Sequence, residues 1–135
     1  MANKKYHTVM LIDDSEIDNL INQKMIEASV VAEHIYLHSS AKSAIEFLRN
    51  MQALELAEKV LPDVIFLDID MPLMDGFQFL DEFDKLNSVV KKKCRIVVLT
   101  SSINPQDVVR SKKYDSVKQF KNKPLSTEDI MKLEV

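Results

Sequence analysis

Cysteine occurs once in this chain, at position 94, glycine once, at position 76, and tryptophan not at all. A lone thiol cannot form an internal disulfide, so a disulfide-stapled secreted scaffold is excluded. Cys94 follows Lys91, Lys92 and Lys93, which could lower its pKa, but with no His or second Cys placed to assist it is expected to be an incidental thiol at a strand entrance. No apolar run could span a bilayer, and the run from Thr8 to Ile12, after a basic start, is too short for a signal h-region and stops against two aspartates. From these absences the expected home is the cytoplasm. Helix-turn-helix, zinc-finger and aromatic stacking signatures are missing, which argues against direct nucleic-acid binding. His7, His34 and His38 are scattered, with no Cys or Glu at zinc-site spacing, so neither a structural nor a catalytic zinc is expected and the three are expected at the surface.

What is present fits one globular domain. The chain has 135 residues, 46% of them hydrophobic and 29% charged, enough to bury a core without a second domain. Its net charge of -3 conceals an asymmetry. Residues 1–84 hold 6 Lys/Arg against 16 Asp/Glu, residues 85–123 hold 11 against 2, and residues 124–135 hold 1 against 3. The basic C-terminal third reads as a docking surface for an acidic protein partner ahead of nucleic acid.

Strand and helix signals alternate along the chain. Residues 8–13, 33–38, 63–68, 95–100 and 118–123 read as strands. The first, third and fourth are near-continuous apolar runs, as expected for strands covered on both faces. Residues 15–28 place Ile17, Leu20, Ile21, Met25 and Ala28 on one helical stripe, and residues 41–59 do so with Ala41, Ala44, Ile45, Leu48 and Met51. A helix after Gly76 has Phe77, Leu80, Phe83 and Leu86 as its buried edge. Asn104-Pro105 reads as an N-cap followed by Pro at the first helical position, and Ser126 with Asp129 as a capping box for a short last helix. Five βα units in succession predict a doubly wound parallel sheet with right-handed crossovers.

Four of the strand signals end in groups suited to phosphoryl chemistry: Asp13-Asp14, Asp68, Thr100, and Lys123 before Pro124. In an open parallel sheet ligands bind outside the carboxyl ends of the strands, so these groups would meet at one edge. Converging carboxylates repel, and one pKa rises unless a cation neutralises them. Magnesium suits such a site, because it takes about six oxygen ligands and is held by one or two carboxylates plus phosphate. Taken singly each signal has a plainer reading: Asp14 or Ser15 can cap a helix, Lys-Pro is a common surface pair, and Thr often ends a strand. Together they point to an aspartyl phosphate formed on a carboxylate nucleophile.

The motifs LeuIleAspAsp (11–14), PheLeuAspIleAspMetProLeuMetAspGly (66–76), ValLeuThrSerSer (98–102) and PheLysAsnLysPro (120–124) make the chain resemble a response-regulator receiver domain of two-component signalling, from about Thr8 to the last helix. The resemblance implies a flavodoxin-like (βα)5 fold with strand order 2-1-3-4-5 and helices on both faces. It makes Asp68 the phosphoacceptor, with Asp13, Asp14, Asp68 and the backbone carbonyl of Asp70 as magnesium ligands. It gives Thr100 and Lys123 contacts to the phosphoryl group, and makes Thr100 and Phe120 the switch pair. Ser101 is small where the phosphoryl group enters, and Pro72 and Gly76 shape the loop after Asp68, the glycine by permitting a strained backbone. Lys123-Pro124 is often cis in this family. The loop around Tyr114 to Val117 lacks the glycine often found there.

The implied function is a single receiver domain over residues 1–135, without an output domain, that is not an enzyme beyond phosphorylating and dephosphorylating itself. Its partners would be a sensor histidine kinase or histidine phosphotransfer protein and a downstream target, with no nucleic acid and no membrane. It would be a monomer or a phosphorylation-dependent dimer. The readout surface would be the last helix, the last strand and the helix beginning at Pro105. Two alternatives stay open. Asp68-Ile69-Asp70 also matches the nucleophile motif of haloacid-dehalogenase-type phosphatases, and a receiver can bind partners without phosphorylation.

Overall fold

Alternating apolar runs and helical stripes become twelve elements in the computed structural model, which describes residues 5–54, 57–71, 74–133 and 135. In chain order they are β1 (Tyr6–Ile12), α1 (Glu16–Ser29), β2 (Ala32–His38), α2 (Ala41–Met51), α3 (Ala57–Val60) and β3 (Val64–Asp68). They continue with α4 (Gly76–Asp84), α5 (Ser88–Lys93), β4 (Arg95–Thr100), α6 (Pro105–Ser111), β5 (Val117–Asn122) and α7 (Thr127–Met131). The five strands form one sheet in the order β2-β1-β3-β4-β5, every pair parallel. The expected order and helix placement are therefore found.

Two apolar layers hold the sheet. On one face Met10, Ile12, Ile65, Leu67, Ile96 and Val98 pack with the buried residues of α2, α4 and α5. On the other, Val9, Leu11, Phe66 and Leu99 pack with Ile26 of α1 and Ile130 of α7. Successive residues of the central strands thus enter opposite layers, and all five residues of β3 are buried, which is why that strand reads as a continuous apolar run.

Helix α1 differs from its predicted stripe. Ile17, Leu20 and Ile21 are exposed, at 71%, 52% and 37%, and Ala28 is exposed too, while Asn19, Asn22 and Ile26 face inward. The reason is hydrogen bonding. Asn19 Nδ2 donates to the carbonyls of Asp13 and His38, which end β1 and β2, and Asn22 Oδ1 accepts from the Leu125 amide. Carbonyls at strand ends buried under a helix need donors, which Asn19 supplies, and the buried Leu125 amide needs an acceptor, which Asn22 supplies one turn on.

Other boundaries shift as well. The helix expected over 41–59 stops at Met51 and is followed by a separate short α3, while Gln52, past its end, takes the Asn87 amide on its side chain. The short α5 is additional. Asn87 caps it, three lysines fill its last turn, where they complement the helix dipole, and it buries Val90. Asn104 and Ser126 cap α6 and α7 as expected, the latter in a capping box with Asp129. The turn from Tyr114 to Val117 closes without glycine through a Val117 amide to Tyr114 carbonyl bond of 3.1 Å, and the buried Tyr114 hydroxyl donates to Asp81. No helix among the described residues is long and apolar enough to cross a membrane.

Candidate functional site

Parallel pairing brings the strand ends to one edge. Ile12 pairs with Leu67, Asp68 with Leu99, and Thr100 with Asn122, so the residues just past β1, β3 and β5 converge. Asp13, Asp14 and Asp68 each offer a carboxylate oxygen within 4.8 Å of the others. Asp13 and Asp68 are buried, at 2% and 1% exposure, whereas Asp14 faces solvent. Ser15, not Asp14, caps α1, accepting from the Asp18 amide, so capping makes no demand on Asp14. Asp13 Oδ1 accepts from the Ser15 amide at 2.9 Å, and Asp68 Oδ1 from the Asp70 amide at 3.0 Å.

Lys123 reaches into this cluster from the end of β5. Its Nζ lies 3.0 Å from Asp13 Oδ2, 3.0 Å from Asp18 Oδ2 and 3.4 Å from Asp68 Oδ2. The peptide bond between Lys123 and Pro124 is cis. Burial alone would favour a neutral amine, but the bonds to Asp18 and Asp13 and the Asp68 charge outweigh it and hold Lys123 above the ordinary lysine range. Burial pushes the Asp68 carboxyl up to about 6, assisted by the Asp13 charge and opposed by the Asp70 amide and Lys123. One ammonium thus faces three carboxylates, with that of Asp14 beside them, and the surplus negative charge fits a hard divalent cation with oxygen ligands.

Thr100 is buried at the end of β4, and its hydroxyl donates to the Ser102 carbonyl at 3.1 Å and to Asp70 Oδ2 at 3.4 Å. The exposed Asp70 therefore directs its carboxylate to Thr100, outside the cluster of three. Phe120, on β5 just before Lys123, is half-buried against the layer containing Val98, with which it pairs. Gly76 does not have a positive φ. What it needs is space: a Cβ there would sit 2.6 Å from the Ile69 Cα, across a Gly76 amide to Ile69 carbonyl bond of 3.3 Å. The expectation of a strained backbone is corrected to one of close approach. Pro72 lies outside the described residues.

Sequence reasoning missed Asp18, Asn19 and Asn22. Asp18 sits in the first turn of α1, where acidic residues are common for helix reasons alone, and its pairing with Lys123 depends on how α1 docks. Cys94 is buried under the start of β4, and burial, with help from Asp63, pushes its thiol up to about 12, Lys93 opposing. It is a free, buried thiol at the entrance of β4.

Comparison with known proteins agrees with this fold. Residues 9–133 match the family described as response regulator receiver domain. A two-component response regulator of rice (Oryza sativa subsp. japonica) is 31% identical over 127 residues, covering 93% of this chain and 52% of that protein. The chain thus spans about half the length of that relative. The crystal structure of a two-component response regulator from Cytophaga hutchinsonii superposes with a TM-score of 0.85 at 30% identity, covering 95% of this chain and 93% of the other. That of a phosphorylated cyanobacterial phytochrome response regulator gives 0.72 at 26% identity, covering 93% and 86%. The match across nearly the whole sequence and the shared sheet place this chain in the receiver-domain family of two-component response regulators.

Proposed function

We propose that this chain is a phosphoacceptor receiver in which Asp68 carries the phosphoryl group. The observation that supports this most is the buried Asp68 carboxylate at the end of β3, flanked by Asp13 and Asp14 and within 3.4 Å of the Lys123 ammonium. An Asp68 carboxylate oxygen attacks the phosphorus of a phosphohistidine on a sensor histidine kinase or histidine phosphotransfer protein. A P–O bond forms as the P–N bond breaks, and the imidazole leaves. Water later cleaves the acyl phosphate to restore the carboxylate and release inorganic phosphate. Asp13, Asp14, Asp68 and the Asp70 backbone carbonyl would hold magnesium, which when bound neutralises charge developing on the phosphoryl oxygens. Lys123 supplies the remaining positive charge from the protein side. Ile17, Leu20 and Ile21, exposed beside Asp18, give the phosphodonor an apolar face to dock on.

The switch follows from contacts that differ between two states. Without phosphate, Thr100 spends its hydroxyl on Ser102 and Asp70. With phosphate it turns to a phosphoryl oxygen, and Phe120 moves into the space vacated, altering the surface of α6, β5 and α7 for a downstream target. The protein acts in the cytoplasm as a signalling module, as a monomer or as a dimer formed on phosphorylation. The phosphatase alternative is not favoured, because Asp68-Ile69-Asp70 begins at the end of the third strand, not the first, and the chain matches the receiver family.

The test is intact mass after incubation with acetyl phosphate and magnesium. The expected result is one phosphoryl increment that needs the metal and is absent from Asp68→Asn. An increment retained in Asp68→Asn, or steady hydrolysis of phosphomonoesters, would overturn the assignment.

A further inference from the structure

The end of the sheet opposite Asp68 gathers a second set of donor groups. His7 on β1 and Glu33 and His34 on β2 are distant in sequence, but the parallel register that pairs Tyr6 with Ala32 and Thr8 with His34 sets all three on adjoining rungs. His7 Nε2 stands 3.6 Å from Glu33 Oε2. The His7 and His34 rings meet edge to face with centroids 5.1 Å apart. One donor atom from each of the three lies within 4.8 Å of the other two, and all three residues are exposed.

We propose that His7, Glu33 and His34 bind a divalent transition-metal ion of the zinc class, with water completing the shell. Zinc takes imidazole nitrogen at about 2.0–2.1 Å and carboxylate oxygen at about 2.0–2.2 Å, so two donors on a tetrahedral ion stand roughly 3.3 Å apart. The His7 to Glu33 separation is close to that already, and exposed side chains can draw in at little packing cost. His7 Nδ1 is bonded to Thr8 Oγ1 at 3.0 Å, the kind of partner that orients a ligating imidazole and leaves its other nitrogen for metal. Asp63, the neighbouring carboxylate, is taken up by Lys93 at 2.8 Å and by the amides of His7 and Thr8. Two imidazoles and one carboxylate select zinc, nickel or copper over magnesium. The ion therefore differs from the one the acidic cluster fits, and lies roughly 20 Å away along β1, at about 3.3 Å per residue. Spanning β1 and the edge strand β2, it would clamp the sheet's exposed side.

The plainer reading is an exposed histidine–glutamate ion pair with no metal role, and a zinc titration separates the two. Zn2+ is titrated into the full chain against a chromophoric chelator, with magnesium in excess so that the acidic cluster is occupied. The expected result is one equivalent of zinc, bound at least tenfold more weakly by His7→Ala and by His34→Ala. His38→Ala, a change in a histidine bonded to Ser43 away from the cluster, keeps the wild-type affinity. All three variants are checked for a native circular dichroism spectrum. Equal affinity in wild type, His7→Ala and His34→Ala overturns the proposal, as does an equal loss in His38→Ala.

Discussion

Lys123 ion-pairs with Asp13, Asp18 and Asp68 at once, and its side chain is only 12% exposed. Removing one partner of a buried pair leaves the other charge stranded, which typically costs about 3–5 kcal/mol. Asp18 is partly solvated and Asp68 can take up a proton, so the expected loss in Lys123→Ala is nearer about 2 kcal/mol in metal-free buffer. Urea midpoints measure it, and saturating magnesium recovers most of it in the variant. Cys94 illustrates the opposite environment. Its thiol, pushed up to about 12 mainly by burial, stays protonated through neutral pH despite three lysines beside it in sequence. Native protein is expected to resist iodoacetamide at mildly alkaline pH and to be alkylated promptly once unfolded in urea, as mass spectrometry reports.

Helix and strand termini carry the next set of consequences. With one glycine in the chain, α1 ends instead on Val30 in the left-handed region, at φ 54° and ψ 36°, with the side chain 61% exposed. A β-branched residue there is strained by about 1–2 kcal/mol. Val30→Gly gives back part of that in unfolded-chain entropy, so a net gain of roughly 0.5–1 kcal/mol is expected in thermal melts. At the other end of the sheet Asp63 ties the His7 and Thr8 amides of β1 to Lys93 of α5. Burial alone would raise its pKa, but Lys93 and the two amides outweigh burial and hold it below the usual range. A carboxyl depressed in the folded state stabilises above its unfolded pKa, and that stability is lost as pH falls through the lower folded value. Asp63→Asn should therefore cost about 1 kcal/mol at neutral pH and almost nothing in strong acid, a difference that urea melts at the two pH values display.

At the scale of the whole molecule, the site is a property of the sheet edge. A cation that binds the folded cluster and not the unfolded chain stabilises by mass action, by about 2.7 kcal/mol at a free concentration one hundred times its Kd. Magnesium is expected to raise the melting temperature in a concentration-dependent way, a chelator to reverse it, and Asp68→Asn to lose most of the effect. Strand positions and the order of chemistry-bearing residues were legible because each central strand is buried on both faces, so its apolar run ends where solvent and function begin. Caps at Asn104 and Ser126 were legible because capping is local. The inward face of α1 was not. Apolar spacing selected Ile17, Leu20 and Ile21, but the strand-end carbonyls beneath the helix selected Asn19, and the buried Leu125 amide selected Asn22.

The sequence by itself determined the alternation of strands and helices, the family, and the identity of Asp13, Asp14, Asp68, Thr100 and Lys123 as the groups at one edge, because periodicity, caps and strand-terminal motifs are local signals. Tertiary structure decided what those groups touch. Lys123 also pairs with Asp18, Thr100 bonds Ser102 and Asp70, Gly76 is required by the closeness of Ile69, and His7 meets Glu33 and His34. Each of these contacts joins separate segments through sheet register or helix docking, and such long-range packing is set by the folded arrangement rather than by spacing along the chain.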